Sequence, residues 1–397
     1  MKKLIAALLA AVTVFALCSC TISRKTDAAE KTTAPAETDV PSYTYDDPVI
    51  PTKDFMYIDG VEKVPEWVLS LDGRKIGFSE FRHFYVQTVY NIEYDLSVEE
   101  KKTYWNEETE TEALNKALAA LIVSNASDDY AAKNGFALTE EEIADFNQRL
   151  DSTIEQMGEE YMKNYYDEYF QNEESLRLLT LRSMLNQKIF YSFYDAESGT
   201  KLWDDAKIDE YVKNSPVYSG NTLAEYAENN FYRCKHVLIK FPDGADDAAK
   251  AACLAKAEEV RAKAVAGEDF DQLIKDYGED PGMTHYTEGY TFNSSGYTPS
   301  SGGTMVTEFT VGTTSLEIGG ISEPILTTYG YHVIKRLPLN EDAINEAKTL
   351  ILYGSRNFTG AYDDEFQEWF DGVSEAYDPE VVWNEDVKPF IAHDKVF

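Results

Sequence analysis

Apolar positions recur along the chain at spacings that change character near residue 230. Trp67, Leu69 and Leu71 fall at a period of two, the signal of a strand, and Asp72-Gly73 then marks a turn into a return strand carrying Ile76 and Phe78. Ser79 reads as the N-cap of a helix with Phe81, Phe84, Tyr85 and Val89 on one face. Leu114, Leu118, Leu121 and Ile122 give a second helix that Gly135 stops, and Thr139 with Glu142 forms a capping-box signal for a third, ending near Gly158. Leu178, Leu181, Leu185 and Ile189 mark another amphipathic helix, and 204–214 a shorter one, so 56–228 reads as a mostly helical domain. From Phe231 the order becomes strand (231–239), Ala-rich helix (245–266) closed by Gly267, short helix (270–277), a Gly/Ser/Thr-rich loop (282–304) and a final strand (331–337). This β-α-α-loop-β order is that of a small α+β domain. Beyond it, Tyr362, Phe366, Trp369, Phe370 and Val373 form one apolar stripe, and segment 338–397 is expected to return to the N-terminal domain and make the α+β domain an insert.

The first residues carry no such pattern. Lys2 and Lys3 precede an apolar run from 4 to 17, short of the ~20 residues a membrane-spanning helix needs, and this arrangement reads as an export signal over 1–19. Residues 20–55, rich in Thr, Ala, Pro and Asp, read as a flexible linker. Charge narrows the function. With 71 acidic against 36 basic residues the net charge is −35, which excludes nucleic acid as a partner and disfavours electrostatic docking on anionic lipid. Two of the four cysteines lie in the first twenty residues, so there is no disulfide framework; Cys234 and Cys253 read as buried thiols. Tyr161, Tyr165, Tyr166, Tyr169 and Phe170 crowd one stretch, either as helix–helix core or as a polar-rimmed cradle for unfolded segments.

Two of five histidines sit in matching strand contexts, Lys235-His236-Val237-Leu238-Ile239 and Tyr331-His332-Val333-Ile334. In each, the ring faces opposite to the following residue. Taken alone, either reads as a hydrogen-bonded core histidine rather than a catalytic one. No further His or Cys stands at zinc-ligand spacing, and neither a nucleophile elbow nor a phosphate-cradling glycine loop is present, so no metal and no cofactor is implied.

Six blocks follow the parvulin-type peptidyl-prolyl isomerase pattern in order: His236-Val-Leu-Ile, Gly267-Glu-Asp-Phe270, Tyr277-Gly-Glu-Asp-Pro-Gly282, Met305-Val-Thr-Glu-Phe309, Ile318-Gly-Gly-Ile-Ser-Glu-Pro324 and Tyr329-Gly-Tyr-His-Val-Ile-Lys335. The helical region resembles the chaperone part of SurA- and PrsA-type foldases, notably from Leu71 to Phe81, and Leu17-Cys-Ser-Cys20 resembles a bacterial lipobox. The resemblance implies an α+β protein in which a mostly helical chaperone-like domain (56–228) carries an inserted small parvulin-like domain (229–337). It further implies that His236, Asp280 and His332 are catalytic, that Met305, Phe309 and Tyr290 line the proline pocket, and that Cys20 is lipidated. Val306 and Glu288-Gly-Tyr290 depart from the family spelling, and the acidic stretch Lys240-Phe-Pro-Asp-Gly-Ala-Asp-Asp247 argues against selection for phosphorylated substrates. The implied partners are unfolded or partly folded exported polypeptides containing Xaa-Pro, outside the cytoplasm, with the chain held to the membrane by its lipid. A non-enzymatic holdase built on an inactive parvulin scaffold is the alternative.

Overall fold

The computed structural model describes residues 54–392, apart from Asp95, Ser219, Asn221, Ser300 and 355–358. The export signal and Cys20 lie outside the described residues. In chain order the elements are β1 (Met56–Ile58), β2 (Val61–Lys63), β3 (Leu69–Leu71), β4 (Arg74–Ile76), α1 (Phe78–Tyr94), α2 (Val98–Tyr104), α3 (Glu107–Asn134), α4 (Glu140–Met157), α5 (Glu159–Glu168) and α6 (Glu173–Tyr194). Then follow α7 (Asp205–Asn214), α8 (Leu223–Asn230), β5 (Phe231–Lys240), α9 (Asp247–Val265), α10 (Phe270–Tyr277), α11 (Gly282–His285), β6 (Tyr290–Asn293), β7 (Tyr297–Thr298), β8 (Gly303–Thr304), α12 (Thr307–Thr314), β9 (Ile325–Leu326) and β10 (Gly330–Leu337). Helices α13 (Glu341–Tyr353) and α14 (Ala361–Ala376), strand β11 (Val381–Trp383) and a 3-10 turn (Lys388–Phe390) complete the chain. No described helix is long and apolar enough to cross a membrane.

The chain divides into two compact units: residues up to Gly199 together with those from Trp369 onward, and the continuous stretch Thr200–Glu368. These boundaries lie outside the expected 229 and 337. Residues 200–228 go with the second unit because α7 bonds to the first half of α14: Lys207 Nζ to Glu365 Oε1 at 2.6 Å, and Tyr211 OH to Asp364 Oδ2 at 2.9 Å. The stripe on α14 therefore serves both units: Tyr362 accepts the Trp203 N–H in one, and Trp369 packs edge-on against Tyr130 and Phe193 in the other.

In the discontinuous unit, β3 and β4 form a hairpin whose turn residues Asp72 (φ 47°) and Gly73 (φ 82°) take the left-handed backbone a tight two-residue turn requires. Strand β11 adds to the other edge of β3. Capping boxes start α2, α3, α4 and α6, two of them through Asn106 and Asn172 rather than Ser or Thr. Ser79 is not a cap. Helix α1 begins one residue earlier, and the Ser79 hydroxyl donates to Glu174 Oε2 (2.7 Å) and accepts from Asn172 Nδ2 (3.0 Å) at the start of α6. On α6 the fully buried positions include Leu176, Leu179 and Arg182. Arg182 donates to Glu80 on α1 (2.9 Å) and to Asn125 (3.1 Å) and Asp128 (2.9 Å) on α3, a buried ionic tie among three helices.

In the continuous unit an antiparallel sheet runs in the order β6-β5-β10-β9. Alternation splits its faces. Val237, Ile239 and Val333 pack on Ala257 and Val260 of α9 and on Phe270 and Leu273 of α10. Cys234 and Ile334 face the other way, onto Phe292 and Phe309. The stretch 282–304, expected as loop, holds α11 and three short strands, because β6 takes its extended form from pairing with 231–234 of β5. Cys234 is buried, and burial pushes its thiol up to about 12, whereas Cys253 is only half-buried.

Candidate active site

Register places the two histidines. In the β5–β10 ladder His332 lies opposite Leu238 and Ile334 opposite His236, so the rings project from one face as diagonal neighbours. Their Nδ1 atoms are 2.9 Å apart and the rings stack with centroids 5.0 Å apart. His236 Nε2 lies 2.7 Å from Asp280 Oδ2, which also accepts from the Tyr290 hydroxyl at 2.9 Å; Asp280 Oδ1 accepts from the Gly282 N–H at 2.9 Å. At the far end His332 Nε2 lies 2.9 Å from the Thr327 hydroxyl oxygen, which itself accepts the Tyr329 N–H.

These contacts fix one another. A carboxylate only accepts, so His236 Nε2 carries the proton toward Asp280. Where His236 Nδ1 takes the acceptor role, His332 Nδ1–H donates to it and His332 Nε2 is left to accept from Thr327 O–H, so that the protons of the chain Thr327–His332–His236–Asp280 then point toward the carboxylate. The His236 hydrogen bond, with those from Gly282 and Tyr290, holds the Asp280 carboxyl down at about 2 against the cost of its partial burial. Burial, then the neighbouring His236, lowers His332 to about 3, and burial with the Asp280 charge raises the Tyr290 phenol.

The six residues expected at the site come together here. Phe309, on α12, sets its ring edge-on to both histidines at 5.0 and 5.3 Å. Met305, half-buried, joins Phe309, Tyr290, Val306 and Ile325 in one apolar cluster beside them. Tyr290 does more than line that cluster, since its hydroxyl reaches Asp280 and its ring lies 5.1 Å from Tyr286. A side chain at Gly282 would place its Cβ 1.7 Å from the Tyr290 oxygen, so with the tyrosine in this position residue 282 must be glycine. Thr327 has no counterpart in the sequence reading. The signal that finds it is the β9–β10 hairpin: with Leu326 opposite Tyr331 and Ile325 opposite His332, residue 327 must lie at the turn beside the second histidine.

The family model described as Rotamase, the PPIC-type PPIase domain, matches residues 236–337. This stretch is a rotamase domain. Over longer spans the chain is similar to foldase protein PrsA of Geobacillus kaustophilus, 27% identical over 237 residues that cover 59% of this chain and 66% of that one. It is also similar to foldase protein PrsA of a Geobacillus species, 29% identical over 209 residues covering 49% and 59%, respectively. The matched stretch thus spans under two thirds of these relatives' length. Among solved structures, the crystal structure of PrsA from Bacillus subtilis aligns over 70% of this chain and 91% of that one, at 21% identity and a TM-score of 0.30. The match to the rotamase domain takes in the whole Thr327–His332–His236–Asp280 chain together with Tyr290, Met305 and Phe309.

Proposed function

We propose that the chain is a parvulin-type peptidyl-prolyl cis–trans isomerase and a foldase of exported polypeptides. The observation that carries this is the hydrogen-bonded chain from Thr327 to Asp280 lying against the apolar cluster of Met305 and Phe309, within the rotamase match. Rotation about a peptide bond faces ~18–20 kcal/mol because twisting destroys amide resonance. No substrate bond breaks, so the site needs neither nucleophile nor metal. The Met305 side chain and the Phe309 ring grip the proline, and water is stripped from the amide. The twisted amide has less charge separation than the planar one, so a dry apolar slot favours it. Asp280, held anionic by three donors, and the neutral His332 fix the field around the reacting carbonyl and leave no mobile charge to solvate the planar form.

The helical unit is the chaperone-like body into which the isomerase domain is inserted, and the clients are unfolded or partly folded exported chains containing Xaa-Pro. The chain works outside the cytoplasm, tethered through lipid on Cys20. Substituting Cys20→Ala is expected to move it from the membrane fraction to the soluble exported fraction.

Exchange NMR on an Ala-Pro peptide with the full chain added tests the isomerase. Catalysed exchange is expected, falling at least about tenfold in Met305→Ala and Asp280→Ala with the fold retained. A folded chain that leaves exchange at the rate of free peptide overturns the enzyme reading and leaves the holdase. The rotamase match over these same residues weighs against that alternative.

A further inference from the structure

Aromatic side chains of the helical unit form two runs of ring contacts, which end on the sequence neighbours Phe170 and Tyr169. Tyr94 and Tyr90, one turn apart on α1, have ring centroids 6.2 Å apart, and Tyr90 lies 4.9 Å from Phe170. Tyr169, the next residue, lies 4.7 Å from Tyr165 on α5, and Tyr161 stands one turn before that. Tyr94, Tyr161 and Tyr90 are 76%, 55% and 43% exposed, while Tyr165, Tyr169 and Phe170 are half-buried, so the runs are rooted in the core and open to solvent at their outer ends.

Their hinge is a residue in an unusual state. Phe170 has φ 55°, a left-handed conformation that bulky side chains rarely adopt. It is held there: His83 Nδ1 lies 3.3 Å from the Phe170 carbonyl, and the Gln171 N–H donates to Tyr166 O at 2.9 Å. The Gln171 bond ends α5 in a left-handed cap, and this sets the Phe170 ring against Tyr90.

The rim supplies the sign of the partner. Exposed Glu159, Glu160 and Glu168 share α5 with the tyrosines, and Lys163 is the helix's one base. Burial, then the Glu168 charge beside it, raises the Tyr169 phenol. Aromatic faces bordered by carboxylates hold guanidinium or ammonium groups through cation–π attraction and ion pairing together, while the chain's net charge of −35 repels acidic segments.

We propose that the Tyr94–Tyr90–Phe170–Tyr169–Tyr165 row is a docking surface for unfolded polypeptide segments in which Arg or Lys alternates with apolar residues. The inference rests on the foldase reading and narrows it, giving the helical unit a preference for cationic clients.

The test measures binding of the full chain to a short, labelled, proline-free peptide of alternating Arg and Leu, and to the same peptide with Gln or Glu for Arg. Anisotropy is expected to give Arg the tightest binding, weakened by salt. The variant Tyr90→Ser/Tyr94→Ser/Tyr169→Ser is expected to lose about tenfold on the Arg peptide, with circular dichroism, melting and prolyl isomerisation unchanged. Glu168→Lys, at an exposed position, gives a second variant that keeps all the rings and is expected to weaken the same peptide. Equal binding of the Gln peptide, or unchanged binding in both variants, overturns the proposal. So does a change of oligomeric state in the variants without loss of peptide binding, which would make the row a contact between copies of the chain. Isomerisation and suppression of aggregation of a neutral unfolded protein are read in the same preparations. Retained there without an Arg preference, they sink the cationic surface alone; absent, they sink the foldase reading and this inference with it.

Discussion

Three donors converge on Asp280, and each constrains a different part of the site: His236 its ring tautomer, Gly282 the turn, Tyr290 the second lone pair of Oδ2. Removing the Tyr290 hydroxyl with Tyr290→Phe leaves the ring in the cluster but raises the Asp280 pKa from about 2. The anion is then lost at a higher pH, so the acid limb of the isomerisation profile is expected to shift upward, while a purely structural tyrosine would lower activity equally at every pH. His332 carries the opposite lesson for stability. In the fold it stays neutral down to about 3, while an unfolded histidine takes its proton near 6.5. Between those values the unfolded chain binds more protons, so stability falls as pH drops through that window. In His332→Gln the melting transition of the rotamase-containing unit is expected to lose most of this slope between pH 6.5 and 4. The strand period placed His236 and His332 and the Asp-Pro-Gly turn placed Asp280, but only the resemblance of the six blocks to the parvulin pattern joined the three into one site. The Tyr290 hydroxyl and Thr327 were not legible, since their partners lie across a hairpin and a turn that no local period announces.

At the scale of elements, the helices with capping boxes were readable from their own sequence, and α4 runs over the span that Thr139, Glu142 and Gly158 delimit. Ser79 misled because its hydroxyl is used by α6, 95 residues away. The short strands within 282–304 were hidden for a related reason: two to four residues carry no period, and pairing with β5 or with each other makes them strands. Two predictions follow the packing between elements. Arg182→Met leaves Glu80, whose side chain is 5% exposed, with only the longer 3.4 Å pair to the partly exposed Arg74, and is expected to cost about 3 kcal/mol in urea unfolding of the helical unit. Gly330 has φ 150°, and a Cβ there would sit 2.1 Å from the Ile239 carbonyl oxygen, where β10 meets β5. Gly330→Ala is therefore expected to disturb the β9–β10 turn and with it the Thr327–His332 bond, lowering isomerisation more than global stability.

For the whole molecule, the return of the chain to its first unit, which the apolar stripe from Tyr362 to Val373 led us to expect, begins at Trp369, half-way along α14. Residues after α14 supply Val387 to the buried core and Trp383, Phe390 and Ile391 to its margin, and Trp383 lies edge-on to Phe81. Deleting the chain from residue 378 onward is expected to lower the melting point of the helical unit by about 5 °C or more while the second transition and isomerisation persist. The same return sets a schedule. Asn384 donates to the Trp67 carbonyl across 317 residues of sequence. As the polypeptide emerges from its N-terminus, the open edge of β3 stays without its third strand until almost all the rest has been made. The stretch 200–368 is contiguous and complete before that, and once it is compact the loop still to be closed is far shorter than its residue count. The unit that holds His236, His332 and Asp280 is thus complete first, and the discontinuous unit closes last.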